Sequence, residues 1–448
     1  MKIQPRDSRR RWALRALVLV GSISLFAGCG DVLDVDNPSL VTPGQVEGQT
    51  TMLDKFVAGI EANWRIGYGW NASSGAAMTD ETIFGHGWTP WNEYDRRKIT
   101  PQGITSLGYP FITAAIASGE LYTKEVEKLA GPDSLKSAPV AAAYAYTGYS
   151  YLSAAQLYCQ VVIDGSAQED AAAYARAVEL LHKAADVASA AGVDSIAHMA
   201  NLGIAKAYLD LGQRDSAIVY AQKVPANWSG MWVRYTFDAD FNKWTFYNLY
   251  KRTAGFKSTV EFNQGVAPQE AWKLDTRNGG TLPDLRTPYQ TDSLTTLMGG
   301  WNKPRYAYVP YVPSQFSSYT PGNSNLISED DDIRFASGLE AQYIIAEASL
   351  NGGAGGWSEG QVRDFVDARR RVGAPDAGDY AGDDLFAELR HQKLLDFYLA
   401  GFRYPDLRRY LNQYGINEFP TGPLNGFVGT AAPEDYGTDT CWPISPLE

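Results

Sequence analysis

The stretch 204–225 reads IAKAYLDLGQRDSAIVYAQKVP, and its spacing decides the fold. Ile204, Ala205, Tyr208, Gly212, Ala217, Ala221 and Val224 fall on helical repeats, and Pro225 closes the run. Residues three and four apart share one face of a helix. Small side chains at Ala205, Gly212 and Ala217 predict two helices packed closely about a tight turn, with Tyr208 and the aliphatic residues filling the seam to a neighbour.

In residue type and offset, this segment resembles a tetratricopeptide hairpin. One hairpin of that kind cannot bury its own apolar face, so further hairpins must stack on it. The flanking sequence supplies them. Helices are predicted at about 48–66, 108–130, 137–160 and 170–191, the last stopping before Gly192. In the third, Tyr144, Gly148, Tyr151, Ala155 and Tyr158 share a face, and Gly148 and Ala155 invite close approach by another helix. Three more helices are expected at about 334–350, 358–372 and 383–400. Between them, residues 226–333 change character. Aromatic residues crowd 228–250, and Gly279-Gly280, Gly299-Gly300 and several prolines follow. A loop-rich insert of this length is usually functional. The expected fold class is therefore mostly α. Tetratricopeptide-like hairpins form an α-solenoid scaffold over about 51–225 and 334–410. Long irregular loops and a few short strands fill 226–333, and an irregular segment covers 411–448.

The chain begins with a basic leader. Lys2, Arg6, Arg9, Arg10, Arg11 and Arg15 oppose only Asp7, and an apolar stretch from Ala16 to Phe26 follows. That stretch is too short to span a bilayer and suits the core of a signal peptide. It ends in Ala27-Gly28-Cys29, which resembles a bacterial lipobox with Phe26 where Leu is usual. Residues 1–28 are thus expected to be removed, Cys29 to be acylated, and residues 29–50 to form a polar tether. A plain secretory signal with an incidental cysteine is the simpler alternative. Ser8-Arg9-Arg10-Arg11-Trp12 also resembles a twin-arginine export signal. The net charge is −12, and without the leader it is −17. So acidic a chain is a poor partner for nucleic acid or an anionic bilayer, and attachment to a membrane falls to the lipid. Once Cys29 is acylated, Cys159 and Cys441 are left, and two such distant cysteines are expected to be free.

Other pieces resemble the SusD/RagB family of outer-membrane nutrient-binding lipoproteins, in the family's order along nearly the whole mature chain. They are Leu33-Asp34-Val35 with Pro38; Thr79-Asp80-Glu81; Ala142-Tyr144-Ala145-Tyr146 with Leu157-Tyr158; and Ile333-Arg334 with Ala346-Glu347-Ala348. Asp367-Ala368-Arg369 with Arg371, Gly401-Phe402-Arg403 with Asp406-Leu407-Arg408-Arg409, and Trp442-Pro443-Ile444 complete the series. Gln392, Asp396 and Ala400 depart from an acidic run usual before the glycine-arginine pair, which undercuts any ion-pair network assumed from relatives. The resemblance implies residues 51–448 as one domain and a lipid-anchored protein of the outer membrane facing the exterior. It also implies a SusC-like TonB-dependent transporter as partner, an oligosaccharide or other nutrient as ligand, and no catalysis.

Candidate ligand residues are aromatic. Trp88, Trp91, Asn92 and Tyr94 lie in a short segment between helices, with Trp70 before it and Trp301 and Tyr306 in the insert. Indole and phenol faces suit the C–H face of a sugar ring, and Asn can fix hydroxyls. Packing of loops against the core is the competing use of these side chains. The run Glu329-Asp330-Asp331-Asp332 could attract calcium but lacks EF-hand spacing and reads as a solvated acidic loop. No HExxH or GxSxG motif is present, and neither a metal nor a cofactor is expected. A surface glycoside hydrolase, needing two positioned carboxylates, is the rival from enzymology. A tetratricopeptide scaffold that binds only protein is the third reading.

Overall fold

The computed structural model describes residues 52–84, 89–104, 109–234, 264–266, 271–274, 282–291, 308–322, 324–325, 327, 331–422 and 435–444. The leader, Cys29 and the tether fall outside them. Helices α1 (Leu53–Met78), α2 (Thr89–Arg96), α3 (Pro101–Ile104) and α4 (Tyr109–Ala130) come first. Then follow α5 (Ala138–Leu157), α6 (Asp170–Ala191), α7 (Asp194–Asp210) and α8 (Arg214–Ala221). The last four are α9 (Gly338–Leu350), α10 (Glu359–Gly373), α11 (Leu385–Asp396) and α12 (Arg403–Tyr414). From α4 to α8 each long helix packs on the next, and α1 packs on α4 and α5. The mostly α, tetratricopeptide-like architecture expected from the sequence is the one observed.

Local chemistry sets the helix ends. Gly192 and Gly415 stop α6 and α12 in the left-handed conformation that glycine adopts without strain. Ser337 caps α9, Asp384 caps α11, and Ser358 with Gln361 forms a capping box on α10. Helix α1 runs twelve residues beyond its expected end. Its second half is rich in Gly, Ala and Ser, and these small residues are where neighbours press in. A Cβ on Gly67 would come 2.8 Å from the Ile112 side chain, and one on Gly75 would come 3.2 Å from that of Tyr404.

Within the hairpins, Gly148 is the close approach expected of it, since a Cβ there would meet Leu181 at 2.7 Å. Gly212 has a different reason to be glycine. It turns α7 into α8 at φ +73°, and the nearest atom to an added Cβ is 3.7 Å away. Ala205 and Ala217 are fully buried, as tight packing requires.

The strands are short. β1 (Thr82–Phe84), β5 (Gln264–Val266), β7 (Tyr308–Pro310) and β6 (Tyr289–Thr291) form one antiparallel sheet in that order. β2 (Gln160–Ile163) pairs with β3 (Ser166–Glu169), and β4 (Met231–Val233) pairs with β8 (Ile333–Ala336).

The cysteines overturn their expectation. Cys159 and Cys441 form a disulfide with Cα atoms 5.0 Å apart. The backbone brings them together, because Cys159 N–H donates to the Trp442 carbonyl and Trp442 N–H to the Leu157 carbonyl. The Trp442 indole then fills the core, stacked on Tyr404 and edge-on to Tyr94 and Tyr158.

Candidate functional site

Two buried ionic clusters hold the loop-rich insert against the helical scaffold. In the first, Asp80, just past α1, accepts from Arg403 at 2.8 and 2.7 Å and from Lys273 of the insert at 2.7 Å. Burial alone would raise the Asp80 carboxyl. The two cations outweigh it and hold the group well below the usual carboxylate range. Its neighbour Glu81 faces no cation directly; its Oε1 accepts the Leu399 N–H at 2.8 Å. Burial therefore dominates and pushes Glu81 up to about 8.

The second cluster centres on Asp396. Arg286 of the insert donates to it at 3.1 Å, to Asp284 at 2.9 and 2.8 Å, and to Gln392 at 2.7 Å. Arg369 and the Tyr343 hydroxyl complete the carboxylate shell, and Ser314 and Gln315 donate to the Asp396 carbonyl. The departures at Gln392 and Asp396 thus build a network rather than abolish one. A third set joins α7, α9, α11 and α12: Arg409 binds Glu347, Asp210 and Asp406, and Lys393 binds Asp406.

So anchored, β1 is an edge strand of the four-stranded sheet. Thr82 pairs with Val266, Val266 with Tyr308, and Tyr308 with Thr291, making one row across the sheet. β1 leads toward Trp88 from the Phe84 end. The connection 292–307, which bears Trp301 and Tyr306, leaves from the opposite end, at Thr291 and Tyr308.

Two candidates change place. Trp70 lies on α1 rather than in a loop, is 5% exposed and stacks parallel to Phe111 with ring centres 6.2 Å apart. Tyr94 is fully buried beside Trp442. Both are core residues, because sequence type alone does not distinguish an aromatic ring that faces ligand from one that fills a seam. Residues 89–96, expected to be non-helical, form α2. Trp91 and Asn92 are on it, although their side chains fall outside the described residues. Trp88, Trp301 and Tyr306 lie outside them altogether. In the acidic run, Asp331 is not solvated. It is 3% exposed and accepts from the Ser318 backbone and hydroxyl. Among the described residues no His, Cys, Asp and Glu cluster could hold a metal ion, and no helix is long and apolar enough to cross a membrane.

The sequence did not disclose two concavities built from described residues. A groove of about 450 Å³ runs between α4, α5 and β2, walled by Tyr109, Ile112, Ile116, Tyr151, Tyr158 and Val161. A smaller cavity of about 50 Å³ sits between α1, α5, α7, α9 and α12. Both arise where residues distant in sequence meet.

No family model and no curated relative matches the sequence. Solved structures match the fold. A SusD superfamily protein from Bacteroides thetaiotaomicron aligns with TM-score 0.60 at 14% identity, over 80% of this chain and 88% of its own. A SusD-like carbohydrate-binding protein from Bacteroides fragilis aligns with TM-score 0.56 at 13% identity, over 89% and 98%. A third structure, solved with xylogluco-oligosaccharide, aligns with TM-score 0.54 at 12% identity, over 80% and 82%. Of the motifs that resemble that family in sequence, Asp80, Glu347, Arg369, Arg403, Asp406 and Arg409 meet in the buried ionic sets, and Tyr158 and Trp442 meet in the core. The helical scaffold, the insert and the neighbours agree: the chain is built on the SusD/RagB fold.

Proposed function

We propose that this chain is a non-catalytic, glycan-binding lipoprotein of the cell surface. Cys29 carries the lipid, the aromatic segments grip an oligosaccharide, and a SusC-like TonB-dependent transporter receives it. The carrying observation is an architecture shared nearly end to end with a SusD-like carbohydrate-binding protein. The xylogluco-oligosaccharide of another neighbour supports an oligosaccharide as ligand class. Four of the buried carboxylates are unsuited to acid catalysis. Asp80, Asp396, Asp406 and Glu347 are buried and committed to Arg or Lys, which keeps them from serving as a general acid.

With Trp70 and Tyr94 in the core, the ligand set narrows to Trp88, Trp91, Asn92, Trp301 and Tyr306. Calorimetric titration with xyloglucan oligosaccharides and a panel of other glycans tests it. Losing one stacked ring at Trp88→Ala or Trp91→Ala removes about 1–2 kcal/mol and weakens binding roughly 5–30-fold. The melting temperature should hardly move. Trp70→Ala should do the reverse, costing about 3–5 kcal/mol of stability through the cavity it leaves. Unchanged affinity in all the loop variants, or hydrolysis of any glycan by the wild type, overturns the proposal.

A further inference from the structure

Helix α2 stops in an unusual way. Arg97 N–H donates to the Tyr94 carbonyl at 2.9 Å and Lys98 N–H to the Glu93 carbonyl at 3.0 Å, the bond pattern of a left-handed helix stop. Glycine is the usual residue there, because it takes a positive φ without strain. Here Arg97 fills the position at φ +54°. Strained backbone of this kind persists only where the surroundings hold it, and it gathers at ligand clamps. What glycine could not supply is the guanidinium. Arg97 is buried, and it donates to the Asp439 carbonyl at 3.1 and 3.0 Å and to the Pro420 carbonyl at 2.6 Å. It also lies 4.5 Å from the centre of the Phe419 ring.

The joint extends to both sides of Arg97. Gly437 N–H donates to the Arg96 carbonyl at 2.7 Å, and the Asp439 carboxylate accepts the Ile99 N–H at 2.7 Å. There is no slack between the segments, since a Cβ on Gly437 would come 2.2 Å from the Arg97 carbonyl oxygen. Just beyond, Cys441 is bridged to Cys159, and Trp442 meets Tyr94 edge-on at 5.2 Å. The end of α2 is thus fastened to a C-terminal platform that is itself tied to the end of α5. We infer that Arg97 is the positioning residue of the glycan site: by locking α2 to that platform, it fixes the helix that carries Trp91 and Asn92. The inference rests on the glycan reading of those two residues given above. A helix of 8 residues is too short to be stable by itself, so tertiary anchors must set its orientation. Ligand groups ordered before the sugar arrives lose less freedom on binding, which preserves affinity.

Two measurements on the mature chain test this, both made below the melting range of every variant. One is calorimetric titration with xylogluco-, cello- and malto-oligosaccharides. The other is fluorine NMR of the chain labelled with fluorotryptophan, in which the Trp91 signal is the one lost in Trp91→Phe. Arg97→Gly keeps the helix stop and removes the clamp. It should bind the oligosaccharide that the wild type binds roughly 3–10-fold more weakly. Its ligand-free Trp91 signal should shift and broaden, while that of Trp64 in the core stays in place. Arg97→Lys, which keeps a donor for the carbonyls, should recover part of the affinity. A folded Arg97→Gly with wild-type affinity, or with an unchanged Trp91 signal, overturns the inference. Should that variant not fold, Asp439→Ala decides, since it releases only the Ile99 N–H from the same joint. A moved Trp91 signal with weaker binding upholds the clamp, and no change in either overturns it. Should no probe bind the wild type, or Trp91→Ala bind as the wild type does, the glycan reading fails instead. The ligand-free Trp91 signal of Arg97→Gly then upholds or overturns the clamp alone.

Discussion

Two adjacent carboxylates show how little of a residue's behaviour resides in its type. Asp80 meets Arg403 and Lys273 and is held ionised, whereas Glu81 is buried without a cation in contact, so burial outweighs its backbone hydrogen bond and keeps it protonated at neutral pH. Their effects on stability have opposite signs. Asp80 contributes stability that is present above its ordinary range and lost as pH falls through its lowered value. Glu81, raised from 4.5 to about 8, favours folding while protonated, and that contribution drains away as pH rises from about 4.5 toward 8. Glu81→Gln keeps the oxygen that Leu399 N–H needs and removes the proton equilibrium. Near pH 5 the variant should match the wild type. At pH 8 it should be more stable by on the order of 2–4 kcal/mol, which urea melts across that range would measure. A wild type with flat stability from pH 5 to 8 would contradict the assignment.

Among the elements, glycine is used in two ways that a sequence pattern does not separate. Gly203 is a close approach: a Cβ there would come 2.8 Å from Leu181 and 2.9 Å from Tyr149. Gly203→Ala should cost about 1–3 kcal/mol by overpacking. At Gly212 there is space, but φ is +73°, so Gly212→Leu should cost about 1–2 kcal/mol through backbone strain alone. Gly212→Asn should recover much of that, since Asn tolerates the left-handed conformation. Thermal melts of the three variants distinguish the two causes. The same distinction explains what was legible. Periodicity and a stop at Gly192 place α6 at its observed bounds, whereas the amphipathic pattern of α1 fades past residue 66, where small residues are pressed by Ile112 and Tyr404. Of the candidate site, the sequence disclosed residue types suited to sugar but not their burial. Trp70 and Tyr94 are covered by partners dozens to hundreds of residues away, which no local pattern reveals.

At the scale of the whole molecule, the Cys159–Cys441 bridge spans 282 residues of sequence. Sequence reading left these thiols free because nothing near either one announces the other. Closing so long a loop restricts the unfolded chain, and loss of a native bridge typically costs about 2–5 kcal/mol. Cys159→Ser with Cys441→Ser should therefore shift the urea midpoint downward, and reductant should lower the wild type but not the double variant. A wild type indifferent to reductant would show that the bridge does not contribute. The three buried ionic sets act across the same distances, joining α1, the insert and the last helices into one unit.

The position of Trp442 has a consequence for biogenesis. Its ring lies at the junction of Tyr94, Tyr158 and Tyr404, yet a ribosome adds it 284 residues after the second of these. The helices made first can form early, but their shared core stays unsealed until translation has passed residue 442. Contacts of such long sequence separation slow folding and prolong exposure of apolar surface. Holdase chaperones thus have a long window in which to capture the nascent chain before its tertiary structure closes.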